Sequence, residues 1–546
     1  MLSALRSHLT LSWGNPEPRA WVLLLAFVAA YLGYSLFGGL PSRAFDPSDP
    51  TEEITDSMTA VSGFRQGGCV GWASKVASNP NAKPALYAVL SLGYLAGLPE
   101  GHVGYKIMVG AMILLLGACL QWALLKRYGA LALAFGSGLI VSSNLLLAYA
   151  LWGGSIWAGQ LFLWAAVLLA AGRWKETVAS PPRSFLFGLL LSLSFMASYS
   201  MGAFAAAMAA AWSVCWAVRV VKGDCERVRP AAALLAGALI APLGLEAVAF
   251  AVTKPHYWSV VSGRLRYALG ENLITGGAPA FLADLLGSNE SRLFIAVVVL
   301  GVLLDLLAHA RDALRKSPGA SSDPLFAAVP ALVLAYFALG TSPRLGRVFL
   351  PLLPFLLVSA GAGLARAVES LPRPAWRWSG ALALCAFLAA SAQGRQGETR
   401  RAFRAGERLI EHMGGGEERL LVIGYSVPYQ YLPGRETRVG SMADLAAKAQ
   451  TGDEWVLASR FSNWFRRDFT DERDPGAVPI ARAFSSDRPF TPVPGVESLP
   501  FEAFTNSDLY ARIRAGKAPF PVENRLYRAR EFLSACSSSS TASSNR

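Results

Sequence analysis

Charge is scarce in this chain. Only 16% of its residues are Asp, Glu, Lys or Arg, against roughly 25% in soluble domains. Cysteine and histidine chemistry is equally thin. The six cysteines form no C-x-x-C pair, and Cys119, Cys215 and Cys385 fall inside apolar runs, where a thiol is a small core residue. Cys69 and Cys536 are placed to share an oxidising compartment, but no pairing between them follows from sequence. The five histidines are scattered, so no metal-ligand spacing arises. Gly414–Gly416 precedes the strand pattern LLVIGY and no Gly-Lys-Ser/Thr follows, which excludes a P-loop. Repeats of the solenoid or inverted-repeat-transporter kind are not visible.

Hydrocarbon is abundant. Hydrophobic residues make up 53% of the chain. Apolar runs of about 17–23 residues match a hydrocarbon core about 30 Å thick. The expectation is a mostly α, polytopic transmembrane helix bundle. Spans are predicted at 21–40, 103–125, 129–151, 155–172, 184–200, 201–221, 231–252, 293–310, 324–339, 348–364 and 378–391, about eleven in all. The first run, WVLLLAFVAAYLGYSLFGGL, is long for a signal-peptide core and lacks a clear cleavage site, so it reads as a retained span. Lys126, Arg127, Arg173, Lys175, Arg183, Arg219, Lys222, Arg227 and Arg229 fall in short loops on one side, joined by Arg311, Arg315, Lys316, Arg366, Arg373 and Arg377. The connections near Gly153–Gly154 and Ser200 carry no Lys or Arg. The positive-inside rule therefore puts the N-terminus in the cytoplasm and the chain after about residue 394 outside it. The same rule accounts for the formal charge of +13 without a nucleic-acid partner.

The hydrophilic pieces then share the outer face. The stretch 41–102 holds Asp46, Asp49, Glu52, Glu53 and Asp56. Within it, ITDSMTAVSGF places Ile54, Met58, Val61 and Phe64 along one side of a surface helix. KPALYAVLSLGYLAGL (Lys83–Leu98) is too short to span and reads as interfacial or re-entrant. A second outer loop, 253–292, mixes Lys254, His256, Arg264 and Arg266 with Tyr257 and Tyr267, a set suited to phosphate and sugar or to a plain surface loop. Asn289–Glu290–Ser291 spells a glycosylation sequon. Asp305 and Glu246 are acids within spans, and Asp305 reads as snorkelling to the cytoplasmic side. Beyond the bundle (1–396), residues 397–533 alternate strand and helix patterns, which predicts a small extracytoplasmic C-terminal α/β domain. The Ser-rich end, 534–546, reads as disordered.

Four features together resemble the GT-C class of integral-membrane glycosyltransferases, in the branch of the protein O-mannosyltransferases and aminoarabinose transferases. A long outer loop after the first span carries paired acids, here Glu52–Glu53. A K-P-x-L-Y segment follows, with Lys83, Pro84, Leu86, Tyr87 and a closing Gly97. Late in the bundle, SPRLGRVFLPLLPFLLV matches the branch's Arg-Tyr-x-x-x-x-x-Pro pattern through Arg347 and Pro354. A small outer α/β domain comes last. The chain departs from the branch with Glu-Glu for Asp-Glu, Val348 for tyrosine, and Ala85 for a second proline.

The resemblance implies a polyprenyl-phosphate-linked sugar donor, an acceptor that is a protein, lipid or glycan, inverting single displacement, and a bacterial inner or plasma membrane. It implies neither a nucleotide-sugar site nor a required cofactor or metal. A carboxylate within about 3 Å of the acceptor hydroxyl would act as general base. Alignment with the second acid of the pair puts Glu53 first, with Asp49, Glu52 and Asp56 as competitors; the same acids also suit a solvated loop or a helix's first turn. Arg347, Arg344, Lys83 and Lys106 are candidates for the donor phosphate, the arginines through bidentate contacts. Two other readings remain open: a transporter or flippase of lipid-linked glycans, and a non-catalytic scaffold that keeps the bundle.

Overall fold

A computed structural model of the chain describes residues 49–79, 83–152, 154–170, 173–223, 228–252, 258–259, 261–263, 286–287, 289–314, 350–403, 419–423, 436–439, 442–449, 453–460 and 523–538. These are mostly helical.

The first described helix, α1 (Asp49–Ala77), is folded into a hairpin. Gly67 and Gly68 leave helical geometry, and Gly68, at φ 58° and ψ −145°, takes a conformation that only glycine adopts readily. In a straight helix, residues 63 and 71 would be about 12 Å apart along the axis. Here a Cβ added to Gly63 would lie 2.6 Å from the Gly71 carbonyl oxygen, so the two arms run back along one another. Ile54 and Val61 are buried, with Met58 and Phe64 half-buried, the face that the periodicity predicts. The short α2 (Pro84–Leu95) packs beside it, with proline in its first turn. At 12 residues it is about 18 Å long, well short of a span.

The next helix, α3 (His102–Ser142), holds one span and, past a break at Gly129 (φ 82°), part of another. That second part meets α4 (Asn144–Trp152) at a bend of 63°, because Ser143 is extended. The span expected at 129–151 is therefore broken. There follow α5 (Ile156–Ala170), α6 (Trp174–Ala179), α7 (Pro181–Ala197), a 3-10 turn (Tyr199–Met201), α8 (Gly202–Val221) and α9 (Arg229–Val252). The bundle continues with α10 (Arg292–Leu314), α11 (Leu352–Glu369) and α12 (Pro374–Phe403).

Among the described residues, five helices are long and apolar enough to cross a membrane: Val103–Leu125, Tyr199–Val221, Arg229–Ala251, Arg292–Arg311 and Leu352–Glu369. The bent pair would make a sixth. Helices α5 and α7 are apolar but have only 15 and 17 residues. The expected spans at 21–40 and 324–339 lie outside the described residues.

Small residues let the helices touch. A Cβ on Gly301 would lie 2.6 Å from the Ala360 carbonyl oxygen, and one on Gly363 would strike the Gly301 oxygen, so α10 and α11 cross almost backbone to backbone. Gly188 meets Leu234, and Gly237 meets Phe185, between α7 and α9. Lipid supplies no hydrophobic drive between helices, so such close packing carries the association. Trp164 and Phe204 close on Phe355, with centroid distances of 4.9 and 6.2 Å.

Beside the crossing of α10 and α11, Asp305 is 2% exposed. It accepts hydrogen bonds from Ser359 Oγ at 2.7 Å and Arg366 Nη1 at 3.1 Å. Asp305 is paired inside the bundle instead of snorkelling, because α11 brings a hydroxyl and a guanidinium to it. Arg366 also lies over the Tyr128 ring, 5.5 Å from its centroid.

After the bundle comes a four-stranded sheet in the order β2-β1-β3-β4, built from β1 (Leu420–Ile423), β2 (Glu436–Val439), β3 (Trp455–Arg460) and β4 (Glu523–Arg528). Strand β1 is parallel to β2 and β3, whereas β4 is antiparallel to β3. Helix α13 (Met442–Lys448) connects β2 to β3. Helix α14 (Ala529–Ser538) follows β4 directly and extends five residues into the stretch expected to be disordered. Leu420, Leu421, Val456 and Phe532 are fully buried.

Candidate active site

Glu53 and Asp56 lie three residues apart on the first arm of α1, on one face of the helix. Glu53 is 1% exposed, and three other chain segments converge on its carboxylate. Oε1 accepts from Lys83 Nζ at 2.7 Å, at the entry to α2, and from the backbone N–H of Ser155 at 3.0 Å, just before α5. Oε2 accepts from the Tyr105 hydroxyl of α3 at 2.6 Å. That hydroxyl in turn accepts from the Gly154 N–H at 2.9 Å. Glu53 and Tyr105 thus satisfy donors at the start of α5 that helix geometry leaves unpaired.

Asp56 is different. It is half-buried, and its Oδ2 accepts from the Tyr87 hydroxyl at 2.9 Å. Burial, reinforced by the nearby Asp56 and Glu53 carboxylates, pushes the Tyr87 phenol well above its ordinary value, so it remains a donor. Glu53 carries three donors on two oxygens, whereas Asp56 carries one on one oxygen. Lys106, one residue after Tyr105 on α3, is also buried.

Asp49 and Glu52 lie at the start of α1, but their side chains lie outside the described residues. So do Arg344, Arg347, Lys254, His256, Tyr257, Arg264, Arg266 and Tyr267. What is brought together is Glu53, Asp56 and Lys83. Sequence reasoning missed Tyr105 and the Gly154–Ser155 backbone, and nothing in their own segments marks them; Tyr87 was visible only as part of the K-P-x-L-Y segment. Glu246 accepts from the Trp258 N–H at 3.0 Å. Asn289 is 5% exposed, so the sequon is folded into the protein and presents no surface for a glycan.

The hairpin is tied to the loop ahead of α3 by Arg65 and Glu100, 2.6 Å apart. Among the described residues, no group of His, Cys, Asp and Glu is placed to hold a metal ion.

In sequence, no protein-family profile matches the chain. No curated protein matches it either. In structure, it is similar to ArnT from Cupriavidus metallidurans bound to undecaprenyl phosphate, with a TM-score of 0.53 at 12% identity over 81% of this chain and 93% of that one. The apo form of that protein aligns at a TM-score of 0.46 and 15% identity, over 80% of this chain and 92% of that chain. The first likeness shows a GT-C-like, ArnT-like fold.

Proposed function

From a GT-C-like fold as premise, we propose that the protein is a glycosyltransferase that moves a sugar from a polyprenyl-phosphate donor to an acceptor outside the cytoplasm. The observation that carries this reading is the half-exposed Asp56 carboxylate set beside the buried Glu53–Lys83–Tyr105 cluster on the acidic hairpin. The similar ArnT structure holds undecaprenyl phosphate, which supports a polyprenyl-linked donor here.

The step balances simply. The acceptor hydroxyl gives its proton to a carboxylate as its oxygen bonds to the anomeric carbon. The bond from that carbon to the phosphate oxygen breaks, and polyprenyl phosphate leaves with inversion. A general base needs a lone pair aimed at the acceptor. Glu53 spends its oxygens on Lys83, Tyr105 and Ser155, whereas Asp56 keeps one oxygen without a described partner. Asp56 is therefore the preferred base and Glu53 the group that holds the site together, with Asp49 and Glu52 as competitors. Lys83 and Lys106, with Arg344 and Arg347, are the cations proposed for the leaving phosphate. Loop 253–292, with Lys254, His256, Tyr257, Arg264, Arg266 and Tyr267, is the proposed substrate loop. The remaining parts of the proposal are a bundle of about eleven spans, a cytoplasmic N-terminus, and an extracytoplasmic α/β domain around the four-stranded sheet.

The test is transfer by purified protein in nanodiscs, with a panel of radiolabelled polyprenyl-phosphate sugars and membrane extract as acceptor. Asp56→Asn, Glu53→Gln, Asp49→Asn and Glu52→Gln are compared with wild type. Loss of transfer in a folded Asp56→Asn protein supports the reading. No transfer with any donor, while a known transferase works in parallel, turns it towards a transporter or a scaffold.

A further inference from the structure

We propose that Glu290 is a positioning residue for the Glu53 cluster, acting through segment 143–155, which two buried carboxylates grip at its two ends. Its bearing on catalysis rests on the reading of that cluster as the active region. At the start of the segment, Glu290, 1% exposed, takes the free donors of α4. Oε1 accepts from Ser143 Oγ at 2.6 Å and the Leu145 N–H at 2.9 Å, and Oε2 accepts from the Asn144 N–H at 2.9 Å. At the other end, Glu53 and Tyr105 take the Ser155 and Gly154 N–H groups. Between the two grips lies α4, of nine residues, about 13 Å of rod.

The rod has little slack. Leu145, Ala148 and Tyr149 are buried, and the Tyr149 carbonyl accepts from Trp157 Nε1 at 3.1 Å, tying the end of α4 to the start of α5. The bend itself is held from outside. Asn144 donates Nδ2 to the Asn289 carbonyl at 3.1 Å and accepts from Thr399 Oγ1 at 2.9 Å, while Gln396 Nε2 reaches the Val141 carbonyl at 2.9 Å. Glu290 lies two residues before α10, and Thr399 and Gln396 lie on α12. A displacement of Glu290 therefore moves α4, and α4 moves the amides that Glu53 holds.

The test is Glu290→Gln in nanodiscs. The amide keeps the shape and one acceptor, but sets an N–H₂ against the Asn144 N–H. Hydrogen exchange is read separately over 143–146 and 153–157, beside donor KM and kcat. The expected result is faster exchange in both windows, by about tenfold in the distant one, with a fall in kcat larger than any change in donor KM. Acceleration confined to 143–146, or absent from both windows, overturns the proposal. Coupled exchange with unchanged kcat overturns the role in the reaction. Should Glu290→Gln fail to fold, Ser143→Ala removes one of its three contacts and carries the same readout. If wild type transfers no sugar, the functional reading fails, and the exchange windows still decide the coupling.

Discussion

A carboxylate that catalyses and a carboxylate that braces are separated by what their oxygens already hold. Asp56→Asn should lower transfer by about 10²–10⁴-fold, the usual worth of a general base, with unfolding temperature little changed. Glu53→Gln should act first on stability. It removes the counter-charge of Lys83, 2.7 Å away and itself 16% exposed, and breaking such a pair costs about 3 kcal/mol. Thermal unfolding in detergent separates the two: a Glu53→Gln protein as stable as wild type yet inert in transfer would make Glu53 the base. Tyr87 gives a pH test. Its folded phenol titrates above the ordinary value of 10.0. Its contribution to stability is therefore complete below that value and lost as pH rises past it. Wild type should lose thermal stability more steeply than Tyr87→Phe above about pH 10; parallel curves would mean that Tyr87 ionises freely. The acids themselves were legible in sequence as a dense patch in an apolar chain. Their partners were not, because Tyr105 and Ser155 reach Glu53 from 52 and 102 residues away, and no local pattern marks a contact at that range.

Glycines decide the shape of the elements. The face of the first arm of α1 was readable from its spacing, but the reversal at Gly67–Gly68 was not, since two glycines within a polar stretch fit a loop equally well. The two halves of that turn make opposite predictions. Gly71→Ala would drive a methyl into the Gly63 carbonyl of the opposite arm, and overpacking of this kind costs about 1–3 kcal/mol. Gly67→Ala meets open space at a negative φ and should be tolerated. The check is unfolding temperature and monodispersity in detergent, with equal stability of the two variants counting against the hairpin. The bend at Ser143 was hidden for a related reason. LIVSSNLLLAYALW (139–152) is apolar on both sides of the break, and hydropathy reports contact with lipid or core, not the direction of the backbone. The strand patterns at 420 and 455 were legible as short apolar runs, whereas β2 and β4, reading ETRV and ENRLYR, are too polar to stand out.

Across the whole molecule, the acidic hairpin meets the start of the first span of α3 through Tyr105. The Asp305–Arg366 pair meets α3 past the end of that span through Tyr128, and each end offers its own test. The proposed topology puts Cys69, exposed on the hairpin, outside the cytoplasm. A variant that keeps only Cys69 should react with a membrane-impermeant maleimide on intact spheroplasts; labelling only after lysis would invert the topology. At the other end, Asp305 stands where α10 and α11 cross through Gly301, Ala360 and Gly363. Removing Asp305 alone leaves Arg366 without its buried partner, whereas replacing both with apolar side chains removes the desolvated charges together. Because Arg366 keeps 31% of its side-chain surface exposed, the loss in Asp305→Ala should lie near the low end for a buried pair, about 3 kcal/mol. Asp305→Leu with Arg366→Met should recover most of it. Thermal unfolding of the single and double variants decides the matter: a double variant no more stable than the single would mean that Asp305 acts through Ser359 or the helix crossing, and that the ion pair contributes little.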